Sequence, residues 1–404
     1  MKRISLMTLV GISLLMLLLF SCNNDTSIGL FTGLAHPASS PSATGDAPLP
    51  PRSLIFYYED TSTLYYRSYN KIFTLKDDME ATLLFETTSP FEGAIFHSEG
   101  IGMSMLMKTD GVQEGGVAFW EVKPLDADPV KKATPTFKNS DLDPDIQIDE
   151  MTAFRLLSPD YVIVEGMKNG KQVTTFAFYL EGTNEFELVS SMVATEGWKL
   201  EEVMHMSGFQ LWGLMSSTPK IFIFSKGSER KYLYYNSPWY GRTLDFPHEI
   251  AAFVVVEDFD DDDNYYLLLL TPDGKLYGTG LSTIEQGNFA LIHDTGQSYR
   301  RDAFMFTHQA WGEDTHIITR PKNSVRGVTV LSLDDDYVIT DVTNLTTGYA
   351  KDLADATIIS SFYFDRGDEF FYFDTVEKGF LKVTIDDPKS GAGSSQVVEG
   401  YVTE

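Results

Sequence analysis

His308, Glu313 and His316 share one short segment, and nitrogen and carboxylate donors at such spacing are the raw material of a zinc site. Zinc also demands tight tetrahedral geometry, and no cysteine is at hand to complete the set. Asp258, Asp260, Asp261, Asp262, Asp263 and Asn264 alternate hard oxygen donors, as do Asp141, Asp143 and Asp145, which is the ligand chemistry of calcium. Neither run has the glycine at the sixth position or the glutamate at the twelfth that an EF-hand loop needs, so a solvated acidic turn is the simpler account of both. Nucleophilic catalysis finds no Gly-x-Ser-x-Gly elbow, and phosphate binding finds no glycine-rich loop. No pair of carboxylates is singled out for glycoside hydrolysis. The sequence therefore assigns no catalytic residue, no metal site and no cofactor.

Aromatic side chains make up 13% of the chain, and most of them must fill a core. The stretch Tyr234-Tyr235-Asn236-Ser237-Pro238-Trp239-Tyr240-Gly241-Arg242 differs, because Pro238 and Gly241 place Trp239 and Tyr240 in a loop. Rings exposed there would stack on a sugar or a partner side chain, whereas rings turned inward would pack on adjacent structure.

The elements that must position these residues are strands. From Ser53 onward, short runs rich in Phe, Tyr, Val, Ile and Leu are separated by Gly, Asp, Asn, Ser and Pro clusters. Asp352 to Ile359 alone suggests a turn or two of helix. Apolar runs flank tight polar turns at Asp110-Gly111, Asn169-Gly170 and Asp273-Gly274, dipeptides that supply the positive φ angles of two-residue hairpins. Further hairpins centre near Ser62, Ser228, Asn323 and Lys378. Their turn centres recur about every 53 residues, a period typical of radial repeats. Each interval has room for two more strands, and a run usually precedes the hairpin (MTAFRLL, AAFVVV, DAFMF, ATIISSFYF) and another follows it (FELVSS, NFALIH, YVITDV), which makes four strands per repeat.

The expected fold is all-β, a seven-bladed β-propeller over residues 53–404, with six or eight blades and a pair of β-sandwiches as alternatives. The resemblance is to propeller architecture only, because no blade signature repeats. The first hairpin lacks an obvious preceding strand, so the terminal run QVVEGYV, beyond a flexible KSGAGSS, is expected to complete a blade.

Charge narrows the partners. The 58 acidic and 31 basic residues give a net charge of −27, which repels phosphate backbones and excludes sequence-independent nucleic-acid binding. In a propeller, the first-to-second and third-to-fourth loops emerge on one face. Acids collect in those loops at Asp160, Asp258 to Asp263, Glu313, Asp314, Asp365, Asp368, Glu369, Glu181, Glu185, Glu285, Asp334 to Asp336, Asp386 and Asp387. The central hairpins carry Lys108, Lys168, Lys171, Lys226, Arg230, Lys231, Lys275, Arg320, Lys322, Arg326 and Lys378. An acidic loop face and a mixed or basic hairpin face follow.

The single cysteine has a position of its own. Lys2 and Arg3 precede the apolar run Ile4 to Phe20, the layout of an export signal, and Leu19-Phe20-Ser21-Cys22 follows at once. This resembles the lipobox of bacterial lipoproteins, with Leu19 at −3, small Ser21 at −1 and Phe20 departing from the commoner −2 residue. The resemblance covers about the first two dozen residues. It implies that residues 1–21 are a signal peptide and that Cys22 carries the lipid. Residues 22–52, rich in Ser, Pro, Ala, Thr and Gly, then read as a tether. Asn23-Asn24 lacks the aspartate of inner-membrane retention, so outer-membrane attachment is expected. The whole reads as a lipid-anchored envelope module binding a protein or glycan, the alternative being an envelope enzyme acting on carbohydrate or peptidoglycan through carboxylates near the propeller axis.

Overall fold

The computed structural model describes residues 52–398 apart from 59–62, 69, 77–80, 88–90, 100–101, 112–115, 123–129, 140–147, 158–160, 181, 195–197, 207–218, 238–239, 258–264, 300–304, 309–314, 321–326, 335, 357, 365–369 and 376–377. Cys22 and the expected tether lie outside the described residues.

Consecutive antiparallel strands form seven sheets, the blades of a seven-bladed β-propeller. Blade 1 is β1 (Arg52–Tyr58), β2 (Thr63–Ser68), β3 (Lys71–Lys76) and β4 (Thr82–Glu86); blade 2 is β5 (Phe91–Glu99), β6 (Gly102–Gly111), β7 (Gly116–Val122) and β8 (Val130–Lys132). A short strand β9 (Thr136–Lys138) precedes blade 3, which is β10 (Glu150–Leu157), β11 (Tyr161–Lys168), β12 (Lys171–Leu180) and β13 (Glu185–Ala194). Blade 4 is β14 (Lys199–His205), β15 (Lys220–Lys226), β16 (Glu229–Ser237) and β17 (Tyr240–Leu244). Blade 5 is β18 (Ala252–Glu257), β19 (Tyr265–Leu270), β20 (Lys275–Gly280) and β21 (Ala290–Asp294). Blade 6 is β22 (Met305–His308), β23 (Thr315–Thr319), β24 (Val328–Leu333) and β25 (Ile339–Leu345); blade 7 is β26 (Ile358–Phe364), β27 (Phe370–Thr375), β28 (Gly379–Asp387) and β29 (Ala392–Val397).

Turn chemistry fixes the central hairpins. Asn169 and Gly170, at φ 51° and 73°, close a two-residue turn between the paired Lys168 and Lys171, as the Asn-Gly dipeptide requires. A central strand lies between neighbouring blades, so both of its faces must be apolar. Leu267 to Leu270 in β19 and every residue of β24 are buried accordingly. Burying each leucine is worth about 1.5–3 kcal/mol.

Each blade seals against the next through side chains. Phe85 of blade 1 meets Trp120 of blade 2 edge-on at 5.2 Å. Leu106 and Phe119 pack on Val162, Val164 and Phe186 between blades 2 and 3. Ile163 and Phe176 meet Phe222 and Tyr235 at the next interface. A large continuous core then joins blades 4, 5 and 6, and a separate one joins blades 6 and 7 around Phe306, Ile318, Phe371 and Leu381.

Ring closure corrects the sequence reading. The first hairpin, centred near Ser62, pairs β1 with β2 and is therefore first-to-second; the central hairpin of blade 1 turns at Asn70. Blade 1 is complete from consecutive chain, because its innermost strand is as apolar as its second. Gly393, Ser394 and Ser395, expected to be flexible linker, belong to β29, the fourth strand of blade 7 itself. Blades 7 and 1 join through Tyr66, Phe73, Phe370, Tyr372 and Phe380, without exchange of a strand among the described residues; 399–402 of the expected closing run lie outside them. Of the helix expected at Asp352 to Ile359, one six-residue turn forms, α1 (Ala350–Asp355).

Candidate functional site

The described polar chemistry is richest on blade 6. His308 in β22 stands directly opposite His316 in β23, His316 opposite Ser332 in β24, and Ser332 opposite Asp341 in β25. Directly opposed residues share one face of a sheet, so His316, Ser332 and Asp341 form a row across three strands of the blade. Ile318 and Val330 lie two residues away on their strands and pack toward blade 7, which puts the row on that same face. His316 Nδ1 and Ser332 Oγ are 3.0 Å apart in a buried hydrogen bond. The Asp387 carboxyl of blade 7 is held below its ordinary value by the Ser390 hydroxyl, by backbone N–H groups of Ser390 and Lys389, and by the charge of His316.

This row is a structural fastening and not a nucleophile with its base. Ser332 is 1% exposed, so substrate has no approach to its hydroxyl. Its hydrogen bond to His316 satisfies two groups that burial would otherwise penalise.

The turn that follows β24 faces outward. The Asp334 carboxylate accepts the N–H groups of Asp336 at 3.1 Å and Val338 at 2.9 Å, folding the chain over itself. Tyr337 adopts φ 58°, uncommon for a bulky residue, and its ring lies flat on Tyr266 of blade 5 at 4.1 Å and 6°. Asp336 is left exposed at the tip. Asp386 and Asp387, also exposed, precede the equivalent turn of blade 7, and Glu285 stands exposed in the short 3-10 helix Leu281–Gln286 of blade 5.

The hairpin face carries acids as well as bases, and they pair. Lys378 Nζ contacts Asp352 at 2.5 Å, Lys275 Nζ contacts Asp273 at 2.7 Å, and Arg230 bonds Glu249 with Glu201 beside it. The Asp352 carboxyl is lowered by Lys378 and by the hydroxyl of Ser395. The face is thus mixed rather than basic. Lys108, assigned to this face by sequence, sits in β6 instead, 6% exposed, donating from Nζ to the Phe154 carbonyl at 3.1 Å and lying over the Phe154 ring. The hairpin that follows is longer than Asp110-Gly111 suggests, with β6 running to Gly111 before it turns.

The other sequence candidates separate. Asp141, Asp143, Asp145, Asp160, Glu181, Asp258 to Asn264, Glu313, Asp314, Lys322, Arg326, Asp335, Asp365 to Glu369 and Trp239 lie outside the described residues. Tyr234 and Tyr235 are buried in β16, and burial raises the Tyr234 hydroxyl. Tyr240 opens β17 opposite Ser237 and does not belong to a loop. No group of three or more His, Cys, Asp or Glu among the described residues is placed to hold a metal ion. No described helix is long and apolar enough to cross a membrane.

Sequence reasoning missed β9 entirely. It joins the outer edge of β13 in parallel, fixed by Asn184 Nδ2 donating to the Ala133 carbonyl at 3.0 Å and by Phe137 stacked on Phe186 at 5.1 Å. Phe137, an isolated ring in a polar stretch, was the one available signal.

No family model matches this chain, and no curated protein matches it. Solved structures do. One, from a study of two prolyl endopeptidases and their inter-domain dynamics, is 11% identical over 86% of this chain and 49% of its own, with a TM-score of 0.45. This chain thus spans about half that protein's length. Saccharomyces cerevisiae Sqt1 is 9% identical over 86% of this chain and 85% of its own, with a TM-score of 0.47. Kluyveromyces lactis Hsv2 is 9% identical over 86% and 98%, with a TM-score of 0.40.

Proposed function

We propose that this chain is a lipid-anchored cell-envelope protein whose propeller is a binding or scaffolding module, presenting its acidic loop face to a cationic protein or glycan. The observation that carries this reading is the contrast between ends of the blades. Asp336 and Asp386 stand exposed at neighbouring third-to-fourth turns, while the hairpin face sets a base beside its acids, Lys378 at Asp352, Lys275 at Asp273 and Arg230 at Glu249. Carboxylates left to solvent in a strongly negative chain attract and steer basic partners. The lipid-box resemblance at Cys22 supplies the anchor, and two or more acyl chains hold a protein at a bilayer without a spanning helix.

Crosslinking in living cells, followed by mass spectrometry, tests the module. Wild type should capture a defined partner that the combined Asp336→Asn, Asp386→Asn and Asp387→Asn variant captures at least about tenfold less, a change of roughly 1.4 kcal/mol. Equal capture by both would overturn the acidic-face reading. Anchoring is checked separately by feeding cells an alkyne-tagged fatty acid. Label should appear on wild type and vanish in Cys22→Ala, and label persisting in that variant removes the anchor from Cys22.

A further inference from the structure

Every blade of a propeller ends in an outer strand whose backbone N–H and C=O groups face away from the sheet, an invitation to further pairing that proteins ordinarily close. Here blade 3 is closed by β9. Blade 4 is closed by the 3-10 helix Leu281–Gln286, to which Arg242 Nη1 reaches at the Leu281 carbonyl, 2.6 Å away. Blade 7 is covered by α1, through the Asp352 carboxylate and Ser395. The outer strand of blade 2 is three residues long and carries Lys131 and Lys132, the length and charge that discourage pairing.

Among the described residues, blade 6 has none of these devices. Its outer strand β25 is seven residues long, contains no Lys, Arg or Pro, and no described strand pairs with its outer side. Its one irregularity falls at Thr340, next to its start, and Asp341 to Leu345 pair regularly with β24. Val342 is 41% exposed, and Val338, just before the strand, is 56% exposed. The open edges of blades 1 and 5 are five residues each and expose Leu83 and Leu291, but each is bulged at its centre, at Leu84 and Ile292, so neither offers more than two regular residues in a row. Around β25 the charge is of one sign, with Asp341 on the strand and Asp334 and Asp336 in the turn that leads into it.

We infer that the outer edge of blade 6 is a strand-addition site for an extended segment of a partner protein in which aliphatic and basic side chains alternate. Main-chain hydrogen bonds to β25 would provide affinity, alternate aliphatic side chains would cover Val342, and the basic ones would meet the aspartates. A second copy of this chain is the wrong occupant, because two bodies with a net charge of −27 would bring like-charged edges together. The charge of the occupant rests on the acidic-face reading above; the open edge does not.

The test uses the full chain and three synthetic peptides: Thr-Lys-Val-Lys-Val-Lys-Val-Lys-Thr, the same peptide with every Lys replaced by Glu, and the same peptide with its central Val replaced by Pro. Binding is followed by fluorescence anisotropy, and its place by hydrogen–deuterium exchange. The lysine peptide should bind and slow exchange in residues 339–345, and the glutamate and proline peptides should each bind at least about tenfold more weakly. The double variant Asp341→Lys, Val342→Lys should lose the interaction while keeping the wild-type melting temperature. Protection elsewhere or no protection at all would overturn the edge site, and self-association through β25 without peptide would overturn the choice of occupant. Protection at the acidic turns but not at β25 defeats the edge site and leaves the acidic face standing. Protection at β25 by the lysine and glutamate peptides alike defeats the charge preference and leaves the edge.

Discussion

Blade 5 is held in the ring by hydrocarbon, whereas the junction of blades 2 and 3 sets a buried polar contact into its apolar core. Blade 5 is hydrocarbon from its inner strand outward: Ala252 to Val256 and Leu267 to Leu270 are all buried, and they merge with blades 4 and 6 into one core. Its inner strand runs against β19 without irregularity. At the other junction the inner strand β10 is bulged between Met151 and Ala153, opposite buried Glu165, and Lys108 enters from blade 2 to meet the Phe154 carbonyl. Bulges fall at the same register of the inner strand in blades 1, 2, 3 and 4, two or three residues before the end of the second strand. The repeat is therefore one of backbone geometry, which either hydrocarbon or a paired polar group can fill.

The two chemistries should fail differently. Leu268→Ala, in the hydrocarbon region, opposes Val254 on one side and Gly278 on the other, so little can collapse into the gap. A loss of about 3–4 kcal/mol is expected, measured by urea unfolding and nearly constant across pH. Lys108→Ala should cost less, about 2 kcal/mol, the sum of a lost hydrogen bond to the Phe154 carbonyl and the lost packing of its methylenes. Lys108→Met keeps the stem and should recover about half of that cost. Full recovery would show that hydrocarbon suffices at both junctions and would dissolve the contrast.

Periodicity made most of this legible. Six of the seven central hairpins follow from apolar runs around polar turns, because that alternation is a local property of the chain. Positions of single side chains were harder, because register decides them. A hairpin centred on Asn323 would oppose His316 to Val330; the observed register moves each partner two residues along the same face and sets Ser332 opposite His316 instead. Blade 1 was misplaced by one strand because Leu54 to Tyr58 is as apolar as Leu64 to Tyr66 and nothing upstream marks the start. Strand β9 left only the ring of Phe137 as a signal, since three residues are too few to show a period and the partner Glu185–Glu187 is remote in sequence.

The smallest effect expected is also the one that separates the two chemistries most cleanly, because only the polar one titrates. Asp352 accepts from Lys378 across the gap between α1 and blade 7, and from Ser395 on β29. Both partners lower its carboxyl below the ordinary 3.8, so its contribution to folding is complete above that value and disappears as pH falls through the lowered one. Asp352→Asn should therefore cost about 1 kcal/mol at neutral pH, modest because the pair is partly exposed. The gap in melting temperature between wild type and variant should hold down to about pH 4 and then close. Leu268→Ala measured over the same range should show a gap that does not close. Parallel curves for the two variants would mean that Asp352 acts through shape and not charge, and the polar fastening of blade 7 would then be no different in kind from the hydrocarbon of blade 5.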